Sequence, residues 1–260
     1  MQREGITGKT VVVTGSSAGI GRSIALAFAK LGARVVLHSR NTTGRVQTVL
    51  REVASQGVEA KVIAADLSCA KGRETLSAQA WDAFGSVDCW INNAGADVLT
   101  GEPATWSFAK KLELLWQVDV LGTLELSRAI GQKMLARGVA SSIINIGWDQ
   151  ASQGMAGDSG EMFATTKGAI MAFSRSLAQS LAPVVRVNCI APGWIKTAWG
   201  DEASEYWQQR ALKESLRERW GTGEDIAKAA TYLASSDADF VTGQILNVNG
   251  GFRYSRETKK

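Results

Sequence analysis

Short apolar runs alternate with longer amphipathic stretches along all 260 residues. The runs Thr10–Thr14, Arg34–His38, Ala60–Ala64, Val87–Ile91, Ser142–Ile146, Val184–Ile190 and Ile245–Val248 are rich in Val and Ile and mostly apolar on both faces. A strand needs two apolar faces when helices cover both sides of its sheet. Between them, Ile20–Leu31, Arg45–Gln56, Arg73–Phe84, Lys110–Arg137, Met162–Leu181 and Asp225–Ala234 carry helical apolar spacing. Strand alternating with helix predicts βαβ units and therefore an α/β fold. We expect a doubly wound, Rossmann-like parallel sheet of seven strands with helices on both faces.

Three prolines and no Ser/Gly-rich linker leave no place to divide the chain, so residues 1–260 are expected to form a single domain. The least regular stretch, Gly193–Gly221, holds Trp194, Trp199, Trp207 and Trp220 among many charges. Within it, Glu202–Arg219 is expected to form one or two short helices, where a lid over a ligand would sit.

Composition narrows the function classes. At 45% hydrophobic and 21% charged the chain can bury a large core, which excludes disorder and collagen-like repeats. One His (His38) and three scattered Cys (Cys69, Cys89, Cys189) are too few for a structural zinc site, and no metal is expected. Unpaired cysteine spacing argues against a disulfide framework and for a reducing compartment. The net charge of +4 is mild and its Lys and Arg are dispersed, so nucleic acid is not an expected partner. The basic tail Arg253–Lys260 reads as a solvated terminus. No apolar signal-peptide core or membrane-length run is present, so a soluble, cytoplasmic protein is expected.

Thr14-Gly15-Ser16-Ser17-Ala18-Gly19-Ile20-Gly21 follows the first strand and opens the first helix. Glycines there permit a tight turn and a close backbone approach to a pyrophosphate, and the helix N-terminus supplies free amides. The second strand ends in His38-Ser39-Arg40 with no acid to accept from ribose hydroxyls. Arg40, helped by Ser39, can instead clamp a 2′-phosphate, which favours NADP(H) over NAD(H). The competing reading leaves Arg40 as a solvated loop cation. His38 is expected to support the adenosine rim.

With its TGxxxGxG spacing, the chain resembles the short-chain dehydrogenase/reductase family over nearly its whole length. Asn92-Asn93-Ala94-Gly95 matches the family's NNAG motif, and Asp66-Leu67 stands where the family contacts adenine. Ala191-Pro192-Gly193-Trp194-Ile195-Lys196-Thr197 resembles the segment that flanks the nicotinamide. Thr242-Gly243-Gln244 and Asn249-Gly250-Gly251 resemble the surroundings of its last strand. The resemblance implies a dinucleotide site of Gly15, Ser16, Ser17, Gly19, Ile20, Gly21, Ser39, Arg40, Asp66, Leu67, Asn93, Ala94, Gly95, Lys167, Pro192, Gly193, Ile195 and Thr197. It also implies a homo-oligomer, a dimer or homotetramer, paired through Lys110–Arg137 and Met162–Leu181.

The family's catalytic pattern is altered. Its YxxxK motif falls on Phe163-Ala164-Thr165-Thr166-Lys167, so Lys167 is kept and the phenol is lost. A phenyl ring has no exchangeable proton. The family's Ser falls on Trp148 by strand register, or near Asp149 or Gln150 when counted back from Phe163. Its Asn, part of a proton relay, falls on Asp119. Asp119 beside Lys167 reads either as a structural ion pair or as a functional one. Lys167, Asp149 and Asp119 are the candidate catalytic residues. Asp149 is preferred as the acid, because the pteridine reductases, which are similar to this family, carry an Asp near the Ser position while keeping the Tyr. Asp158 and Glu161, in the glycine-rich run Gly154–Phe163, are further acids near the motif.

Trp148, Phe163, Trp194 and Trp199 are the candidate substrate-binding residues. They would wall a pocket for an aromatic or cationic small molecule; the competing readings are helix packing for Phe163, core filling for Trp148 and lid packing for Trp194 and Trp199. These features predict an atypical NADPH-dependent reductase of an imine or iminium, a pterin-like compound or a conjugated acceptor. The alternative is a non-catalytic dinucleotide-binding protein, a sensor or a structural subunit.

Overall fold

The computed structural model describes residues 5–42, 44–197, 200 and 203–253. Seven strands form one sheet: β1 (Thr10–Val13), β2 (Arg34–Ser39), β3 (Ala60–Ala64), β4 (Cys89–Asn92), β5 (Ser141–Ile146), β6 (Val185–Pro192) and β7 (Ile245–Val248). Their order is β3-β2-β1-β4-β5-β6-β7, and every neighbouring pair is parallel. The helices are α1 (Gly19–Lys30), α2 (Arg45–Ala54), α3 (Ala70–Asp82), α4 (Phe108–Leu115), α5 (Gly122–Arg137), α6 (Asp158–Leu181), α7 (Glu205–Glu214) and α8 (Gly223–Ala234). The expected doubly wound sheet is present.

Period-two alternation with a core on each face explains why the central strands are mostly apolar on both faces. Val11, Val13, Ile91, Ile144 and Ile190 face one core with residues of α1, α2 and α8. Val12, Trp90, Ile143 and Val187 face the other, with residues of α3, α5 and α6. Strand order runs outward from β1 to β3 on one side and from β4 to β7 on the other. The carboxyl ends of β1 and β4 therefore border a topological switch point, where such sheets form ligand crevices. Near this edge Asn92 Nδ2 donates to Ser127 Oγ and to Asn145 Oδ1 at 2.8 Å each, and Asn145 Nδ2 donates to Ser174 Oγ at 2.9 Å. This buried network fixes α5 and α6 to the sheet.

Two regions differ from expectation informatively. The stretch Lys110–Arg137 is not one regular helix: a π turn at Trp116–Leu121 separates α4 from α5. Such turns recur at functional sites. Helix α6 begins at Asp158, a turn before Met162, so Asp158 and Glu161 occupy its first turn, where acids complement the helix dipole. The glycine-rich run thus does not form a loop that holds Glu161 over a substrate; Glu161 is exposed. Between Gly193 and Gly221, α7 forms over Glu205–Glu214, within the stretch expected to hold one or two short helices. Among the described residues no helix is long and apolar enough to cross a membrane, and no cluster of His, Cys, Asp or Glu could hold a metal ion.

Candidate active site

The glycine-rich turn after β1 is locked by close backbone packing. Gly15 and Gly19 have φ of +62° and +54°, a region glycine enters without strain. A Cβ on Gly15 would lie 2.7 Å from Ala94 Cα, and one on Gly21 would lie 2.3 Å from Gly15 O. The NNAG segment buttresses the turn. Asn93 Nδ2 donates to Thr14 O and Gly15 O at 3.0 and 3.1 Å, and Thr14 Oγ1 accepts from the amides of Asn93 and Ala94 at 2.9 Å each. Helix α1 starts with no side-chain cap and no acid in its first turn. Its free amides and positive dipole end fit a pyrophosphate.

A groove of about 880 Å³ opens above this turn, lined by Gly15, Ser17 and Ala18, by Asn93, Ala94 and Gly95, and by Asp66 and Leu67. Ser16 is not among them. It is fully buried, its hydroxyl accepts from His38 N at 2.9 Å, and its amide donates to His38 O, so its side chain faces β2. Ile20 and Gly21 lie in the first turn of α1, and Thr197 Cγ2 comes within 3.8 Å of where a Gly19 Cβ would be. This brings the 191–197 segment to the same end of α1.

Ser39 and Arg40 line the far end of the groove together with Arg45 at the start of α2. Ser39 Oγ donates to Asn41 O within its own turn, so toward a ligand it can only accept. Arg40 and Arg45 are both exposed, two guanidinium groups at the mouth. Hydrogen bonds from Ser68 hold the Asp66 carboxyl below its usual pKa, with Arg40 adding a smaller attraction. The sequence reading overlooked Arg45, and also Arg73. Arg73 is buried, donates through Nη1 to Leu67 O at 2.8 Å, and pairs with Glu125 at 2.6 Å. On a helix of low apolar contrast Arg73 looks like any surface cation.

The motif residues on α6 meet the π turn. Phe163 and Lys167, four apart, share one helix face. Lys167 Nζ lies 2.9 Å from Asp119 Oδ2, and Asp119 Oδ1 accepts from Ala96 N at 2.8 Å. Both carboxylate oxygens are thereby committed. Asp119 is also packed under the NNAG turn, where a Gly95 Cβ would come 2.9 Å from Oδ2. Trp148, just beyond β5, meets Phe163 edge-on, with centroids 6.3 Å apart and planes at 70°. Trp148 and Phe163 therefore touch each other.

Asp149 points elsewhere. It is 2% exposed and its Oδ2 accepts from Asn249 Nδ2 at 3.0 Å, which ties the end of β5 to the end of β7. Among the described residues Oδ1 has no hydrogen bond of good geometry. Burial raises the Asp149 pKa and outweighs the hydrogen bonds from Asn249 and from its own turn. A Cβ on Gly193 would stand 3.2 Å from Oδ2, so Gly193, which follows Pro192 at the end of β6, lies close to the carboxyl. Ile195 continues from there into a parallel bridge with Gly221.

Trp194 belongs to an aromatic and cationic cluster with α7. Its Nε1 donates to Glu214 Oε2 at 2.8 Å, its ring meets Trp207 at 5.6 Å and Trp220 at 5.9 Å, and Arg210 stacks over Trp194 and Trp207. Arg210 also bonds Glu214 at 2.6 Å. Trp194 thus packs against Trp207, Trp220 and Arg210, as the packing reading of the sequence expects. Trp199 lies outside the described residues.

Comparison with known proteins agrees with this geometry. A family model described as "Enoyl-(Acyl carrier protein) reductase" matches residues 14–253. The chain is 32% identical to glucose 1-dehydrogenase 2 of Bacillus subtilis over 248 residues, 95% of each protein. It is 30% identical to tropinone reductase-like 3 of Erythroxylum coca, covering 94% of this chain and 93% of that one. Among solved structures, L-sorbose reductase from Gluconobacter frateurii, complexed with NADPH and L-sorbose, superposes with a TM-score of 0.86 at 31% identity, covering 96% of this chain and 98% of that one. A 7α-hydroxysteroid dehydrogenase complexed with NADH gives 0.86 at 30% identity, covering 96% of each chain. With a glycine-locked turn, an NNAG buttress and a retained lysine on α6, and with relatives matching along its length, the chain belongs to the short-chain dehydrogenase/reductase family of oxidoreductases.

Proposed function

We propose that the protein is an NADP(H)-dependent reductase whose acceptor does not need a phenol: an imine or iminium, a pterin-like compound or a conjugated double bond. The observation that carries this reading is the contact between Phe163 and Trp148, which leaves two aromatic rings where the family's resemblance puts a hydroxyl pair. When bound, the nicotinamide supplies hydride. An iminium carbon already carries positive charge and takes no proton during reduction, whereas a carbonyl oxygen must be protonated. The aromatic edge suits a flat or cationic molecule. Asp119 neutralises Lys167, so the ammonium does not repel such a cation. Arg40 and Arg45 at the groove mouth support NADP(H) over NAD(H), as does the absence of an acid at Ser39.

For a neutral acceptor, Asp149 is the proton donor in this scheme; burial raises its pKa above the usual carboxylate value. Its bond to Asn249 also fits a purely structural tie. One specific observation favours a second reading, a dinucleotide-binding protein without turnover: Asp119, Lys167 and Asp149 are all engaged within the protein. The assay that separates the two mixes the protein with NADPH and panels of cyclic imines, pterins, enones and ketones, and follows the loss of reduced cofactor. Oxidation with imines or enones and not with ketones supports the reductase. Tight binding with no oxidation in any panel overturns it and leaves the binding protein. An Asp149→Asn variant with unchanged imine turnover removes Asp149 from the scheme. In the same proposal the protein acts on a small molecule as one domain and self-associates through α5 and α6.

A further inference from the structure

His38 is the chain's one histidine and is 3% exposed near the end of β2. Its ring joins two segments distant in sequence. Nδ1 lies 3.1 Å from Gly15 N, an amide that can only donate, so Nδ1 is the unprotonated nitrogen. Nε2 lies 3.0 Å from Ala65 O, a carbonyl that can only accept, so Nε2 carries the proton. The partners therefore dictate one neutral tautomer, and burial, which pushes the pKa down to about 4, keeps the ring uncharged.

Both partners flank the groove. Gly15 is the first glycine of the phosphate turn, and its carbonyl is held from the opposite side by Asn93 Nδ2 at 3.1 Å. Ala65 precedes Asp66 and Leu67 at the adenosine end. Gly15 has no side chain with which to anchor itself, and Ala94 leaves no room for one. Fixing its amide therefore falls to a side chain from elsewhere, and His38 is the group in place.

We propose that His38 is a positioning residue of the dinucleotide site: its Nε2-protonated imidazole spans from the Gly15 amide to the Ala65 carbonyl and presets the spacing between phosphate turn and adenosine wall. This rests on the reading that the groove takes a dinucleotide. The two bonds can be separated by substitution. In His38→Asn the side-chain oxygen replaces Nδ1 and keeps an acceptor for Gly15. In His38→Gln the amide reaches Ala65 and leaves Gly15 N–H unmet. His38→Leu removes both.

The test has two arms. With 15N-labelled histidine, the single imidazole of the ligand-free wild type should give one Nε2-protonated signal pair, steady from neutral pH to well above it. An Nδ1-protonated or averaging ring overturns the proposal. Calorimetric titration with NADPH should give a Kd for His38→Asn close to that of the wild type, and for His38→Gln and His38→Leu a Kd raised about tenfold or more, the cost of one unmet buried donor. Equal affinity in the Asn and Gln variants overturns the proposal while leaving the dinucleotide reading intact. A wild type that binds no NADPH overturns that reading, and this proposal with it. Should His38→Leu fail to fold, the Asn–Gln contrast still decides.

Discussion

The Lys167–Asp119 pair should be strongly coupled, and a double-mutant cycle can measure it. At the 2.9 Å separation the Coulomb attraction at an effective dielectric of 20 is about 6 kcal/mol, before desolvation is subtracted. Side-chain exposure of 13% for Lys167 and 2% for Asp119 makes that desolvation large, so the intact pair contributes far less net stability. Removing one partner is another matter, because the remaining charge stays buried. Asp119→Asn keeps an oxygen for Ala96 N but then turns its NH2 toward the Lys167 ammonium. We expect a loss of about 3 kcal/mol, the low end for breaking a buried pair. In a chain of this size that lowers Tm by roughly 6 °C or more. Lys167→Met should cost a similar amount, leaving the Asp119 carboxylate with the Ala96 amide alone. The double variant carries no orphaned charge and should be more stable than the sum of the two losses predicts, by about 2 kcal/mol. Urea unfolding of all four proteins at neutral pH, read by tryptophan fluorescence, provides the comparison. If the single losses simply add, within about 0.5 kcal/mol, the two groups are independent and the ion-pair reasoning is refuted.

Three further outcomes follow from the same geometry. Because the His38 pKa is lowered from 6.5 to about 4, the unfolded chain takes up the proton first; stability should fall as pH drops through that window, by about 3 kcal/mol. Asn does not titrate there, so parallel stability–pH curves for wild type and His38→Asn would sink this. Gly21→Ala puts a methyl 2.3 Å from Gly15 O and 2.5 Å from Asn93 Nδ2, so calorimetry should show NADPH affinity lowered more than about tenfold through displacement of the turn; an unchanged Kd would mean the turn yields freely. Arg40→Ala should lower the NADPH-over-NADH affinity ratio about tenfold, the range for a charge-assisted hydrogen bond, and Arg45→Ala should lower it by less; an unmoved ratio in both refutes the 2′-phosphate clamp.

Strand positions were legible because short apolar runs stand between stretches of helical spacing: Ala60–Ala64 and Ile245–Val248 coincide with β3 and β7 to the residue, although both are edge strands and only partly buried. The break in Lys110–Arg137 was not, since Trp116-Gln117-Val118-Asp119-Val120-Leu121 keeps helical apolar spacing while Asp119 is held by Lys167 and Ala96 from outside the helix. The TGxxxGxG spacing marks the turn but not the direction of its side chains: the Ser16 hydroxyl accepts from His38 N of β2. Arg45 and Arg73 escaped notice for a related reason. A cation's role depends on what the fold brings beside it, and neither Leu67 O nor the groove is visible from the helix sequence alone. Nor does the place of Trp194 along the chain reveal what it packs against. The partners that hold it, Trp207, Arg210 and Glu214, come from a helix that the sequence marked only loosely.

The tie between Asp149 and Asn249 spans 100 residues of sequence, and this sets an order on biosynthesis. Side-chain bonds that hold the phosphate turn come from Thr14, His38 and Asn93, all made early. A chain leaving the ribosome has those partners long before β7 exists, and domains are built from the N-terminus at a few residues per second. The half of the sheet that carries the Gly15 turn can therefore take shape before Asn249 is made. The last strand then adds the Asn249 bond to the Asp149 carboxyl. A truncation just before Ile245 would thus remove that tie and leave the side-chain bonds of the Gly15 turn in place.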